Sequence, residues 1–377
     1  VTLSTPLFSV IVPTHGRASL IAELLQSLSC TPSSIDASVE VLIVDSSSVG
    51  ESEAIRETCE RFGAKHLEGS VSVRRKRNIG AFAANGEWLF FVDSDCAVSP
   101  DIFAAYQRTM RSTPDLCAAA GPTVFRGDET SFTRRIRSSS LFGPFRRPAQ
   151  VGSLLWTTTS NLLIRRDVFH SLGGFREDYP FRLGGDDTDL CLRLRDEGKV
   201  VIAVPEAVCF HSWATWSSPW LVVRRSFRWG WMHARLLRDH PRYRRFDAPG
   251  LPAHALICVA ISTIGAMFGV FRLIVLPVAL VAMGVLFHAL VAAARAQNRL
   301  VAFGEDITLA LVELPFGFGR AIGSLAAGSL IGVLYRLDAD DRAMDEGFTE
   351  TVVMLWCDHL ALVVLSLFVG WLTWQPG

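Results

Sequence analysis

The sequence predicts an α/β domain built on a parallel sheet, followed by an α-helical transmembrane region. Three observations lead there. Over the first half of the chain, short apolar runs alternate with segments of helical spacing, as strands joined by crossover helices require. Each apolar run stops at a proline or an acidic residue. Beyond Pro252 the pattern changes to uncharged runs long enough to cross a bilayer.

The elements follow in order. Phe8-Ser9-Val10-Ile11-Val12 reads as a buried strand ended by Pro13. Residues 20–28 repeat apolar side chains at helical spacing. Residues 39–44 form a second strand ending at Asp45 and three serines. Residues 52–62 and 77–84 are helical, and Trp88 to Val92 is a third strand ending at Asp93. Parallel sheets bind ligands beyond the carboxyl ends of their strands, so Thr14, Asp45 and Asp93 share the functional edge. Further on, 127–150 is basic and loop-rich, 156–164 reads as a strand, 188–197 as a helix and 200–204 as a strand.

Half of the 377 residues are hydrophobic, and the excess is concentrated after Pro252. Residues 251–271 and 273–294 read as two spans separated by Arg272 alone. Residues 307–334, interrupted by Glu313, Pro315 and Arg320, read as a kinked span, a re-entrant segment or an interfacial helix. Residues 352–374 add a further span after the acidic stretch 338–350. The expected organisation is a catalytic domain over 1–222, basic juxtamembrane helices over 223–250, and three to four membrane helices over 251–377. Residues 224–245 carry eight arginines against one acid, Asp239, which marks a cytoplasmic flank by the positive-inside rule. A multi-pass cell-membrane protein with its catalytic domain in the cytoplasm is the expected setting. No nucleic-acid motif accompanies the charge, so no nucleic-acid partner is expected. The eight cysteines form no CxxC pair. They read as reduced core residues, not as a disulfide framework or a zinc site.

The chemistry gathers at Asp93-Ser94-Asp95. A nucleotide-sugar presents a diphosphate whose charge must be neutralised before its bond to the sugar breaks. A divalent metal held by carboxylates does this as a Lewis acid, and hard oxygen ligands suit Mg²⁺ or Mn²⁺. A D-x-D tripeptide at the end of an apolar strand meets that requirement.

Five blocks in order give the chain a specific resemblance. Ser9 to Thr14 resembles the opening strand of family 2 glycosyltransferases of the GT-A fold. Val41 to Asp45 resembles the second strand, and Arg77-Asn78-Ile79-Gly80 with Ala84-Asn85-Gly86-Glu87 the approach to the D-x-D strand. Gly173-Gly174-Phe175 followed by Gly185-Asp186-Asp187-Thr188-Asp189-Leu190 resembles the acceptor region, and His211 the histidine that follows it. The resemblance spans about residues 7–215. It implies a GT-A nucleotide-sugar-binding domain with a mixed, mainly parallel sheet, and an inverting transfer of sugar. The donor is expected to be a UDP- or GDP-sugar.

The resemblance assigns roles residue by residue. Pro13, Thr14 and Asp45 line the base and ribose, the last two doubling as cap and turn residues. Arg77 meets the diphosphate, Arg74 and Lys76 either join it there or form a solvated basic face, and Asn78 and Ser94 belong to the donor site. Asp93 contacts ribose or metal, Asp95 binds the metal, and His211 completes the shell or is structural. Asp187 is the catalytic base, beside Asp186 on the acceptor side. Arg225-Ser226-Phe227-Arg228-Trp229 lies where processive members carry Q-x-x-R-W. Arg228 and Trp229 therefore bind the acceptor or anchor the chain at the membrane interface. The acceptor is expected to be lipid-linked, a polyprenyl phosphate or a growing cell-envelope glycan, with membrane lipids around it. A processive polysaccharide synthase is the alternative, and a non-catalytic scaffold a third reading that the intact aspartates oppose.

Overall fold

The structure, a computed structural model, describes residues 6–31, 38–137, 139–180, 184–247, 250–295 and 299–337. The chain divides into two compact units, Val1–Thr130 with Phe142–Ser217, and Ser131–Leu141 with Ser218–Gly377.

The first unit opens β1 (Phe8–Thr14), α1 (Ala18–Ser29), β2 (Val39–Asp45), α2 (Val49–Phe62), β3 (Lys65–Glu68), α3 (Val73–Ala83), β4 (Trp88–Phe91), β5 (Cys96–Val98) and α4 (Ile102–Ser112). Next come β6 (Ala118–Ala120) and β7 (Thr123–Arg126); α5 (Ser131–Ile136) then belongs to the second unit. The first unit resumes with α6 (Gly143–Arg146), β8 (Ser153–Leu154), β9 (Leu162–Arg165), α7 (Arg166–Ser171), α8 (Asp186–Asp196), β10 (Val201–Ala203) and β11 (Cys209–Ser212).

Among the described residues, eight strands form one sheet in the order β3-β2-β1-β4-β9-β6-β10-β8. β1, β2, β3 and β4 run parallel, as do β6 and β10, while β9 and β8 are antiparallel to their neighbours. The sheet is thus mixed and mainly parallel, as expected. It is covered on both faces, which is why its strands read as continuous apolar runs. Phe8, Val10 and Val12 pack with Ile21, Leu24 and Leu25 of α1 on one side. Ile11 packs with Ala81 and Phe169 on the other.

β1 does not end at Pro13. Thr14 accepts from Ser46 N, so by alternation Pro13 faces the β4 side. There the ladder has already closed with Ile11 opposite Phe91, and the missing N–H costs nothing. The expected strand over 156–164 is confined to β9, and Asn161 just before it donates to the carbonyls of Pro122 and Ala207, at 3.1 and 2.7 Å. The basic stretch 127–150 folds into short helical turns instead of open loop. A second, three-stranded sheet, β5-β11-β7, was not expected.

The second unit holds α9 (Pro219–Asp239), which runs unbroken through residue 222, then β12 (Arg244–Phe246), α10 (Leu251–Met267), α11 (Leu276–Arg295), α12 (Arg299–Ala326), α13 (Ile331–Leu334) and β13 (Tyr335–Leu337). Among the described residues, two stretches are long and apolar enough to cross a membrane, Phe271–Val291 and Ile307–Ala326. The run 251–271 does not qualify. Gly269 at φ 81° stops α10 after 17 residues, about 26 Å of helix against a hydrocarbon core of about 30 Å. α12 is one 28-residue helix that keeps Pro315 inside it. The expected span over 352–374 and the acidic stretch before it lie outside the described residues.

α9 and α12 approach backbone to backbone. A Cβ on Gly230 would stand 1.9 Å from Phe316 O, and one on Gly319 2.0 Å from Phe227 O. Ser226 Oγ donates to Val312 O in the same seam. Small residues that admit such contact are what helix pairs use when lipid replaces water as solvent. Gly230→Ala is expected to lower stability by about 1–3 kcal/mol through overpacking, read as a lower melting temperature in detergent. Gly50→Ala, whose Cβ would meet nothing within 4 Å, is the control. An unchanged melting temperature for Gly230→Ala would count against the close approach.

Candidate active site

The site grows from the carboxyl edge of the main sheet. The register of β1 on β2 places Thr14 beside Asp45, and β4 delivers the chain to Asp93 next to β1. Cys96 N donates to Asp93 O at 3.1 Å, closing a tight turn over Ser94 and Asp95, both buried. The turn hands the chain to β5, whose partner β11 carries His211 directly opposite Cys96.

Asp45 is buried and heavily bonded. Its Oδ1 accepts from Ser47 N at 2.9 Å and from Ser47 Oγ, and its Oδ2 lies 3.4 Å from His66 Nε2. Burial alone would raise its pKa, but bonds from Ser47, Ser52 and His66 outweigh it and hold Asp45 below the usual carboxylate value. A cavity of about 820 Å³ opens beside it, lined by Ser46, Ser47, Ser52, His66 and Gly69 among others. Pro13 is buried one residue before the end of β1, and Thr14 Oγ1 donates to Gly16 O in the turn that leads into α1. Thr14 is therefore not the cap of α1; that position falls to Arg17.

Around Asp95 a cation network forms. Oδ2 accepts from Arg17 at 3.0 Å, and Oδ1 lies 3.3 Å from His211 Nε2. Arg17 holds φ 71°, the left-handed region, and is the sole non-glycine there among the described residues. Burial would raise the Asp95 pKa, but His211 and Arg17 bring it below the usual value. His211 Nδ1 lies 3.0 Å from Ser212 O. Donation to that carbonyl leaves Nε2 as an acceptor facing a carboxylate oxygen. Two such atoms at this distance call for a cation between them, a second ring proton or a metal. Asp95, Cys96 and His211 each offer a ligand atom within 4.8 Å of the others, so the residues fit a metal ion. Cys96 is buried, as expected of a core cysteine, and it also lies beside Asp95 and His211. The pattern-based reading looked for cysteines close in sequence, whereas Cys96 meets His211 across a strand pair.

Asp187 stands at the start of α8, partly exposed, with Oδ1 accepting from Thr188 N at 2.8 Å. Burial pushes its pKa up to about 7, the negative charge of Asp186 adds to the rise, and Arg77 opposes it. Asp186 is not turned outward toward an acceptor, as expected from the sequence. It is 3% exposed, with Oδ2 taken by Arg77 Nη1 at 2.7 Å and Oδ1 3.6 Å from Arg74 Nε. Arg77 is likewise no free diphosphate ligand, because its Nη2 is bonded to Asp93 Oδ1 at 2.9 Å. One buried guanidinium thus ties the end of β4 to the start of α8.

Asn78 is a structural brace. Its Nδ2 donates to Phe175 O and Glu177 Oε1, both at 2.8 Å, and its Oδ1 accepts from Phe175 N at 2.9 Å. Both of its N–H donors and one acceptance go to holding the loop before α8, whereas the sequence pointed to a donor-site role for it. Gly174 at φ 74° lets that loop pass close, since a Cβ there would lie 2.7 Å from Asn78 Oδ1. Arg193 fixes the same loop from α8, donating to Leu172 O and Gly174 O at 2.7 and 2.8 Å.

Arg74 and Lys76 are not a solvated basic face. Arg74 is buried over the Tyr179 ring, and Lys76 Nζ reaches Thr14 O at 2.5 Å and Ser46 Oγ at 3.0 Å. Burial lowers the Lys76 pKa to about 8. Sequence reasoning missed Arg17 and Cys96 altogether. The signal for Arg74 and Arg77 was present: with Ala81 they repeat at helical spacing on the buried face of α3. Arg228 and Trp229 lie on α9 of the second unit.

Residues 9–173 match the family model of glycosyl transferase family 2. That segment is a family 2 glycosyltransferase domain. Its fold is GT-A: a mannosyltransferase from Pyrobaculum calidifontis, solved in complex with GDP-Man and Mn²⁺, superimposes with a TM-score of 0.50 at 20% identity, covering 81% of this chain and 86% of that one. The transferase domain is also similar to the O-antigen biosynthesis protein RfbC of Myxococcus xanthus, 27% identical over 224 residues, 55% of this chain. Validoxylamine A glucosyltransferase of Streptomyces hygroscopicus subsp. jinggangensis is 25% identical over 241 residues, 56% of this chain. The matched regions span 17% and 56% of those two relatives' lengths.

Proposed function

We propose that this chain transfers a sugar from a nucleoside-diphosphate donor to a lipid-linked acceptor at a membrane surface, with inversion at the anomeric carbon. The observation that carries the reading is the Asp93–Arg77–Asp186 bridge, which joins the Asp93-Ser94-Asp95 turn to the partly exposed Asp187. A donor-side corner and a proton acceptor thereby become one rigid construction.

Asp45 takes the base in the cavity beside it. A carboxylate accepts from the ring N–H of uracil or guanine, so UDP- and GDP-sugars both fit, and the GDP-Man of the Pyrobaculum calidifontis enzyme makes a guanosine donor the first to try. Thr14 and Pro13 floor the ribose. Asp95 and His211 hold Mg²⁺ or Mn²⁺, with Asp93 and Ser94 beside them. Bound there, the ion supplies Lewis-acid neutralisation of the diphosphate as the glycosidic bond to it breaks. Arg17, the residue now paired with Asp95, is placed to meet the same phosphates. Asp187 accepts the proton of the acceptor hydroxyl or phosphate as its oxygen attacks the anomeric carbon.

The membrane reading rests on two apolar stretches of which only 22% and 29% of the best windows are buried. A helix serving as the core of a soluble domain would be mostly covered. The arginine-rich α9 supports a cytoplasmic face for the transferase domain.

Purified full-length protein in detergent, given Mn²⁺, a panel of nucleotide-sugars and a lipid extract, is expected to release nucleoside diphosphate and place one sugar on a lipid. Asp95→Ala should reduce that turnover by about 10²-fold or more, the scale of losing an electrostatic stabiliser of the leaving group. Turnover without added metal, or on soluble acceptors alone, would overturn the corresponding part of the reading.

A further inference from the structure

Hard oxygen ligands would make the metal position an ordinary Mg²⁺ or Mn²⁺ site. One neighbour does not fit that description. Cys96 is 3% exposed, and its sulfur completes the cluster with Asp95 and His211, every pair of ligand atoms within 4.8 Å. The placement follows from backbone register. Cys96 pairs with His211 across β5 and β11, and directly opposed residues send their side chains to the same face about 5 Å apart. Asp95, one residue earlier, lies in the turn before β5, where strand alternation does not apply, so it joins them. The His211 tautomer that bonds Ser212 O aims a lone pair into the cluster.

We propose that Cys96 supplies a sulfur ligand to this position, so that the site takes Zn²⁺-class cations, Zn²⁺ and Cd²⁺, more tightly than Mg²⁺ or Mn²⁺. A carboxylate, an imidazole and a thiolate are the ligand types that tetrahedral zinc uses, at bonds of about 2.0–2.3 Å. Hard cations gain little from sulfur, whereas borderline and soft ones gain most. Entry of such a cation converts the thiol to a metal-bound thiolate and releases its proton to solvent. The Arg17 side chain, 40% exposed, swings off Asp95 with little loss of buried contact. The consequence is a donor site that Zn²⁺ occupies in competition with the catalytic ion. The proposal rests on the reading that Asp95 and His211 are the metal position, and the experiment separates the two.

Metal-free full-length protein in detergent is titrated with Cd²⁺ while the ultraviolet thiolate-to-cadmium charge-transfer band is recorded. In parallel, Mn²⁺ binding is followed by the loss of the free-ion electron paramagnetic resonance signal. Wild type is expected to develop the band at one equivalent. Cys96→Ser should lose it and bind Cd²⁺ at least about tenfold more weakly, while its Mn²⁺ affinity stays within about twofold. That Mn²⁺ signal also certifies the fold of the variant, and Cys96→Ala serves if the serine disturbs it. Cys209→Ser, the buried thiol that opens β11, and Cys30→Ser, an exposed one, should keep the band. A band that persists in Cys96→Ser, or is absent from a wild type that binds Mn²⁺, overturns the sulfur ligand alone. Failure of wild type to bind either ion overturns the metal position as well.

Discussion

Asp187→Asn is expected to lower kcat by about 10²–10⁴-fold, the worth of a positioned general base, while leaving affinity for the nucleoside diphosphate within about twofold. The asparagine keeps the shape and the bond from Thr188 N to its side-chain oxygen but cannot take a proton. Kinetics on single turnover, together with calorimetric binding of the product nucleotide, separates the two quantities; a variant that binds poorly and turns over normally when saturated would remove Asp187 from the chemistry. The pH dependence gives an independent check. Burial places the Asp187 pKa near 7, so activity should fall as pH drops below about 7 and the base becomes protonated. Stability should respond in the opposite sense. The folded pKa lies above the ordinary 3.8, so the folded state binds the proton more readily than the unfolded one. The cost of the buried charge is then fully present above about pH 7 and fades as pH falls toward the unfolded value. Asp187→Asn should therefore raise the melting temperature at pH 8 and do little near pH 4. An enzyme that loses turnover and gains stability by one substitution shows that strain has been kept at a working group.

The parts of this arrangement differ in how visible they are in the sequence. β1, β2 and β4 announce themselves because a sheet covered on both faces needs unbroken apolar runs, and their carboxyl ends then follow. β3 is hidden because it is an edge strand: Lys65 and Glu68 are exposed, and nothing in a polar tetrapeptide marks it. β5, β7 and β11 are three or four residues long, too short for alternation to declare itself, and pairing between distant segments is what brings Cys96 to His211. A solvated basic face was one reading of Arg74 and Lys76. Arg74, Lys76 and Arg77 are buried because the acids and carbonyls they meet come from other elements, namely Asp186, Asp93, Gly184 and Thr14. The D-x-D tripeptide was legible as a motif, but not the guanidinium that connects it to the base. In the second unit, hydropathy located the apolar runs, but the stop at Gly269 and the backbone contact of α9 with α12 depend on single glycines.

Arg77→Met is the substitution expected to cost most stability. It removes the only charge that both Asp93 and Asp186 contact at hydrogen-bond distance among the described residues and leaves Asp186 buried against Arg74 alone at 3.6 Å. Breaking a buried pair by deleting one partner costs about 3–5 kcal/mol, because the remaining charge stays out of water. Arg77→Lys should recover only part of this, since an ammonium is a point charge and lacks the planar fork that spans two carboxylates. The acid-side limb of the rate profile should move with it. Arg77 lowers the Asp187 pKa in the native site, so its removal raises that pKa and shifts the fall in activity to higher pH. The loss of stability should be largest near pH 8 and shrink as the pH drops, because protonation of the acids relieves the unpaired charge. Chemical denaturation at both pH values, beside the pH–rate profile of Arg77→Lys, measures each part. A Met variant as stable as wild type at pH 8 would mean that the bridge contributes nothing to the fold. A profile unmoved in the Lys variant would mean that the bridge does not set the proton affinity of the base, and Asp187 would then owe its raised pKa to burial and Asp186 alone.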